Sequence, residues 1–234
     1  MRRIVFTIIF LISGLVGIGI WRYGQITNSG TETSFLRGVD VSHHQGAIDW
    51  SALAEDDTAF VFIKATEGVS HVDPRFDENW RGARRVGLPR GAYHYFTLCE
   101  TGRAQAEHFI ATVQSSSATL PPVVDLEDTG ACSEGFRITD VPADIFDFID
   151  LIETERDVRP ILYTNHSFYE QHLSKTLAGE QYWLRSFSGE PDFGPSDWLF
   201  WQYTDQGRRR GISGPVDLNA FAGDAADLRA LTNP

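Results

Sequence analysis

The segment VVDLED, residues 123–128, sets Asp125 and Glu127 two positions apart behind a Pro-Pro-Val-Val run. In an extended strand, residues i and i+2 share a face, and at about 3.3 Å per residue the two acids stand roughly 6–7 Å apart. Val124 and Leu126 then face the other way. An isolated ionised carboxylate is costly to bury, so this face meets water, a cation or a substrate. Like charges at close range push one carboxyl up, so that it keeps its proton while its neighbour stays ionised. A proton donor beside a carboxylate suits glycosidic cleavage, where the leaving oxygen is protonated as an oxocarbenium-like centre develops.

Three more acids sit in comparable places: Asp40 in GVDVSHHQG, Glu67 in FIKATEG and Asp217 in GPVDLNAF. The elements that must position them alternate. Strand-like runs at 36–42, 59–67, 90–96, 121–127 and 159–165 are each followed by a helical stretch. One of these helices bears Phe76, Trp80, Ala83 and Val86 near one face, and another bears the stripe Val141, Ile145, Ile149 and Ile152. Pro142 falls in that second helix's first turn, where proline is tolerated. Runs at 181–187, 197–204 and 216–221 then follow as strands joined by Gly/Pro-rich loops. Five β/α units and three terminal strands predict an α/β fold closed as a TIM-like barrel. In such a barrel the C-terminal strand ends share one mouth, where the active site is built. Five carboxylates from four strands would converge there, whereas Asp147, Glu153 and Asp157 scatter as surface acids do.

The 234 residues suit one domain with a short extra segment, and 42% hydrophobic content supplies a core. A formal charge of −12 without a basic block disfavours nucleic acid. His43 and His44 are adjacent, and no H-x-x-x-H or H-E-x-x-H spacing occurs, so neither metal nor cofactor is expected. Aromatic residues recur in the strands: Tyr93, Tyr95, Tyr163, Trp183, Trp201 and Tyr203. Their faces could stack on sugar rings, although each could equally be core. Tyr93, Tyr163 and Trp201 are taken as candidate substrate contacts, with Trp201 and Tyr203 on the face opposite Gln202.

The N-terminus reads separately. Arg2 and Arg3 precede an uncharged run from Ile4 to Trp21, which as a helix would span roughly 27 Å, close to a bilayer's hydrocarbon core. Residues 1–23 are read as a signal-anchor that leaves the domain outside the cytoplasm, a cleaved signal peptide being the rival. Residues 24–34 form a polar linker and 35–234 the barrel domain. Export suits a Cys99–Cys132 disulfide, the alternative being two free thiols.

GVDVSHHQG, FIKATEG, GAYHYF, VVDLE, PILYTN and WQYTDQG…GISGPVDLNAF occur in an order that resembles glycoside hydrolase family 25, the Chalaropsis-type lysozymes, from Arg37 to Phe221. The resemblance implies a barrel of five β/α units plus three strands. It implies hydrolysis of the β-1,4 bond between N-acetylmuramic acid and N-acetylglucosamine in peptidoglycan. By the family pattern Glu127 is the general acid and Asp125 the assisting carboxylate, which orients the 2-acetamido group if that group is the internal nucleophile. Asp40 and Asp217 match the two other active-site acids, and Glu67 belongs to a family motif as a substrate contact or a structural carboxylate near Lys64. Retention through the acetamido group is preferred, with inversion left open. The chain departs from the pattern at Arg185 and Ser186, at His71 and at Arg208–Arg210. These departures bear on subsite preference, the arginine loop being read as solvated. The enzyme is expected to be a monomer; a degenerate barrel that binds glycan without cutting it, and a metal-dependent polysaccharide-modifying enzyme, are the competing readings.

Overall fold

The computed structural model describes residues 35–114, 119–128, 132 and 139–232, and residues 34–234 form one compact unit. The proposed signal-anchor and linker lie outside the described residues. Among these, no helix is long and apolar enough to cross a membrane.

Nine strands occur among the described residues: β1 Leu36–Val41, β2 Phe60–Glu67, β3 His71–Val72, β4 Arg90–Tyr95, β5 Val123–Leu126, β6 Ile161–Asn165, β7 Tyr182–Arg185, β8 Phe200–Gly207 and β9 Val216–Phe221. They hydrogen-bond in the order β1-β9-β8-β7-β6-β5-β4-β2-β3, and β1 also pairs with β2, so eight of them close a barrel. β3, a two-residue antiparallel addition to β2, stands outside the ring. Neighbouring barrel strands are parallel except on both sides of β9, which runs antiparallel to β8 and β1. The C-terminal-end rule therefore cannot bring Asp217 to the mouth. Its place near the start of an antiparallel strand does so instead, directly opposite Asp40.

The helices are α1 Trp50–Ala54, α2 Phe76–Arg85, α3 Gly102–Thr112, α4 Val141–Arg156, α5 His166–Phe168 running into a π-helical turn Tyr169–Leu173, and α6 Ala225–Leu231. Their starts are legible in the caps. The side chains of Asp49, Thr101 and Asp140 accept from backbone N–H groups of α1, α3 and α4, and Pro142 lies in the first turn of α4. The last helix, α6, and the short β3 carry too weak a pattern for the sequence reading to have marked them.

The period of two sorts each strand. Val39, Val41, Val61, Ile63, Val124, Leu126, Leu162 and Leu184 point out to meet Leu53, Phe109, Ile145, Phe148 and Ile149. Phe60, Phe62, Val123, Ile161, Trp183, Phe200 and Phe221 pack in a second cluster inside the ring, with Leu228 of α6. Phe60, Val123, Ile161 and Phe200 open their strands and Phe221 ends the reversed one, so this cluster fills the base away from the mouth. Phe62 stacks on Trp183 at 4.7 Å between centroids. Gly38 and Gly91 make room here, since a Cβ at either would lie 2.4 Å from the ring of Phe60 or Phe62. His94 faces outward, fully buried, and burial pushes its pKa to about 3. The neutral ring takes a hydrogen bond from Thr66 Oγ1 at Nδ1 (2.7 Å) and donates from Nε2 to Gln105 Oε1 (3.1 Å), tying β4 to β2 and α3.

Cys99 and Cys132 are bridged, with Cα atoms 5.4 Å apart. The bond links the loop after β4 to the loop after β5, 33 residues on. A closed loop of this size contributes about 2–4 kcal/mol. Replacing both cysteines by serine should lower the thermal midpoint by about 5–15 °C, read by circular dichroism. An unchanged midpoint would mean that the bridge does not restrain the unfolded chain.

Candidate active site

The polar half of the interior opens at the mouth as a cavity of about 230 Å³, lined by Asp40, Asp125, Glu127 and Asp217 together with Tyr93, Tyr95, Tyr163, Trp183, Lys64, Arg185 and Gln202. Asp125 is the third residue of β5, and Glu127 follows the strand's last residue. Alternation aims both inward while Val124 and Leu126 enter the outer core. Asp125 is buried, and its Oδ1 has no hydrogen-bond partner among the described residues. Glu127 lies farther out. Its Oε2 accepts from Asn165 Nδ2 at 3.2 Å and pairs with Arg185 Nη1 at 2.5 Å.

Opposite them, Asp40 Oδ2 accepts from Gln202 Nε2 (3.0 Å) and Asn219 Nδ2 (2.8 Å). Trp183 Nε1 donates to Asn219 Oδ1 and Tyr163 Oη to Gln202 Oε1, each at 2.9 Å, which fixes the direction of both amides. Two donated amide bonds address Asp40 as a carboxylate, although its burial still raises its pKa. Asp217, bonded to Asp40 and facing its charge, is pushed up to about 8, first by burial. The Asp40–Asp217 pair thus shares one proton, held on Asp217. Burial raises Asp125 well above the usual carboxylate range, and the charges of Glu127 and Asp40 add to it. In the substrate-free protein, then, Asp125 holds the proton of the DLE pair while Glu127 makes the contacts of a carboxylate. Burial and the surrounding acids hold the Tyr93 and Tyr163 phenols neutral.

Tyr93 and Tyr163 line the cavity as the sequence suggested, but Trp201 does not. It lies on the outer face of β8, against Phe35, Trp198 and Tyr203, with Nε1 donating to Ser186 O at 2.8 Å. With Gln202 turned inward, its neighbour must turn out. Trp183 is the tryptophan that lines the cavity. Glu67 also stands off it, paired with Lys64 Nζ at 2.6 Å, and it is Lys64 that reaches the wall. In the arginine loop, Arg210 pairs with Glu55 at 3.5 Å and its N–H donates to Asp56, holding the loop to the end of α1. Gln202 and Asn219 carry no expectation in the sequence, and Arg185 stands out there only as a departure from the family pattern that bears on subsite preference. Asn219 lies two positions from Asp217 and shares its face, so DLN carried a signal of the same kind as DLE. Among the described residues no group of three or more His, Cys, Asp and Glu is arranged to hold a metal ion.

Asp217 retains its proton to about pH 8 when folded, against an ordinary value of 3.8. The folded state binds more protons than the unfolded state in this window, so stability falls as pH rises from about 4 to 8. An Asn at this position keeps an amide to donate to Asp40 and removes the titration. Asp217→Asn should therefore match wild type in thermal midpoint near pH 4 and exceed it at pH 8. A constant offset across that range, read by calorimetry, would place the Asp217 pKa at its ordinary value.

Comparison with known proteins places this geometry in a group. Residues 39–212 match the sequence pattern of the family described as Glycosyl hydrolases family 25. Lysozyme M1 of Streptomyces globisporus is 37% identical over 216 residues, which cover 86% of this chain and 73% of that protein. The N,O-diacetylmuramidase of Chalaropsis sp is 30% identical over 203 residues, 78% of this chain and 96% of that protein. The crystal structure of the bacterial lysozyme from Streptomyces coelicolor superposes with a TM-score of 0.78 at 36% identity, covering 86% of this chain and 98% of that one. With the family's pattern matched over three quarters of the chain and the barrel shared with a solved lysozyme, the chain belongs to the family 25 glycosyl hydrolases.

Proposed function

We propose that this glycoside hydrolase is a lysozyme (N-acetylmuramidase) that hydrolyses the β-1,4 bond between N-acetylmuramic acid and N-acetylglucosamine in peptidoglycan. The observation that carries the reading is the meeting of Asp40, Asp125, Glu127 and Asp217 at one mouth of a family 25 barrel. The names of its lysozyme and muramidase relatives support it.

Glu127, just past the end of β5 and the outer acid of the DLE pair, protonates the leaving glycosidic oxygen. Asp125 beneath it, ionised once the proton has passed to Glu127, orients the 2-acetamido group of the muramyl residue and stabilises positive charge there. The acetamido oxygen then attacks the anomeric carbon as the sugar–oxygen bond breaks, and water opens the resulting ring with retention. A substrate-assisted route of this kind is free of the usual two-carboxylate spacing rule. The Asp40–Asp217 pair supplies a fixed negative field, and the Tyr93 and Tyr163 rings bound the sugar. Residues 1–23 act as a signal-anchor and 24–34 as a tether, so that the barrel works outside the cytoplasm.

Glu127→Gln should lower kcat by about 10²–10⁴-fold while leaving the thermal midpoint close to wild type and glycan binding no weaker. Mass spectrometry of fragments released from peptidoglycan is the readout, with new reducing ends on N-acetylmuramic acid made by wild type. Fragments at undiminished rate from the variant would remove Glu127 from the acid's role. For the anchor, alkaline carbonate should leave the full chain in the membrane pellet, and its release in shortened form would show a cleaved signal.

A further inference from the structure

Arg185 closes β7 where the catalytic cavity meets a second, wider groove of about 560 Å³. Glu127, Arg185 and Phe187 line both spaces, and the groove continues past Asn165 and His166. Among the described residues, Lys64 and Arg185 are the lysine and arginine that reach the catalytic cavity. Lys64 is engaged by Glu67 at 2.6 Å and lies over the Tyr95 ring at 4.8 Å. Arg185 has a third of its side chain exposed, touches Glu127 through Nη1 and bonds Tyr163. Its guanidinium carbon stands 5.8 Å from the ring of Phe187, one of the few large apolar side chains left exposed, at 49%.

The Glu127 contact conflicts with the chemistry. A general acid must carry a proton, and a protonated carboxyl is a poor partner for a guanidinium. A half-buried Arg left without an anion would in turn be costly. The charge that Asp125 gains as its proton passes to Glu127 acts on Arg185, and an anion entering with the substrate can take the place of Glu127 at the fork itself. A guanidinium offers five N–H donors in a planar fork that matches a carboxylate, and Glu127 and Tyr163 take up only part of that set.

We propose that Arg185 reads a carboxylate of the glycan: a carboxylate entering the groove beside Phe187 takes Arg185 from Glu127 and frees Glu127 to carry the transferable proton. The proposal rests on the muramidase reading and adds a substrate class to it. The carboxylate has two sources in peptidoglycan, the muramyl lactyl group once its peptide stem is removed, or the stem itself. In the first case an amide-hydrolysing step that strips stems must act before this enzyme.

The test compares three glycans with the purified full chain: strands bearing stems, strands stripped by an amidase, and stripped strands whose lactyl carboxylates are converted to methylamides. Wild type should cleave at least one carboxylate-bearing glycan with kcat/KM about 10- to 100-fold above the methylamide. Arg185→Met should bring that ratio to about one, and Arg185→Lys should leave it between. Preference for stripped strands alone names the lactyl group, preference for stem-bearing strands alone names the stem, and equal preference for both means that the fork takes either carboxylate. A wild-type ratio of one, or an equal loss on all three glycans in Arg185→Met, overturns the proposal. A wild type that cleaves none of them would sink the muramidase reading, and binding then decides the inference by itself. Glu127→Gln leaves Arg185 without its ion partner, so by calorimetry this variant should bind one of the carboxylate-bearing glycans at least about tenfold more tightly than the methylamide. Adding Arg185→Met should erase the difference, and equal affinities in Glu127→Gln would overturn the inference.

Discussion

Five carboxyl groups line a cavity of about 230 Å³, Asp205 of them exposed to solvent, and the structure depends on keeping the other four there without mutual repulsion. Burial makes each charge expensive, and the chain answers differently at each acid. Asp40 keeps its charge by taking two amide donors, whose orientation Trp183 and Tyr163 fix in turn. Asp217 and Asp125 give theirs up to protons. Glu127 is neutralised from outside by Arg185. One charge of each pair is thus removed by a proton, and the charge that stays is met by polar partners.

This solution divides the barrel interior. Aromatic rings occupy the base, where Phe60, Phe62, Phe200 and Phe221 interlock and Leu228 of α6 joins them. Above them the same strands carry the acids and amides. Trp183 belongs to both halves, with its ring stacked on Phe62 and its N–H on Asn219. A single residue so placed couples the packing of the floor to the hydrogen bonding of the roof.

Much of this was written in the period of the strands. The inward aim of Asp125 and Glu127 followed from alternation alone, because backbone pleating leaves no other choice. The same rule put Trp201 opposite Gln202, and its choice as a sugar contact gave way to that geometry. Strand direction is another matter. Alternation reads the same in either sense, so the reversal of β9 had no signature, and Asp217 was assigned to the right mouth by a rule that does not apply to it. The Arg185–Glu127 contact was equally hidden, since it joins β7 to the end of β5 across a parallel strand between them. Two-residue β3 is too short for any period to show.

The reversal of β9 has a topological consequence. Leu36, the first residue of β1, and Phe221, the last of β9, are register partners. The chain therefore enters and leaves the barrel side by side at the base, on the side away from the acids, and every loop at the mouth is internal to the chain. Such a ring can be cut and rejoined: a short linker bridging the two neighbouring ends would let new termini open in any exposed loop of the base, with the loops around the acids left covalently intact.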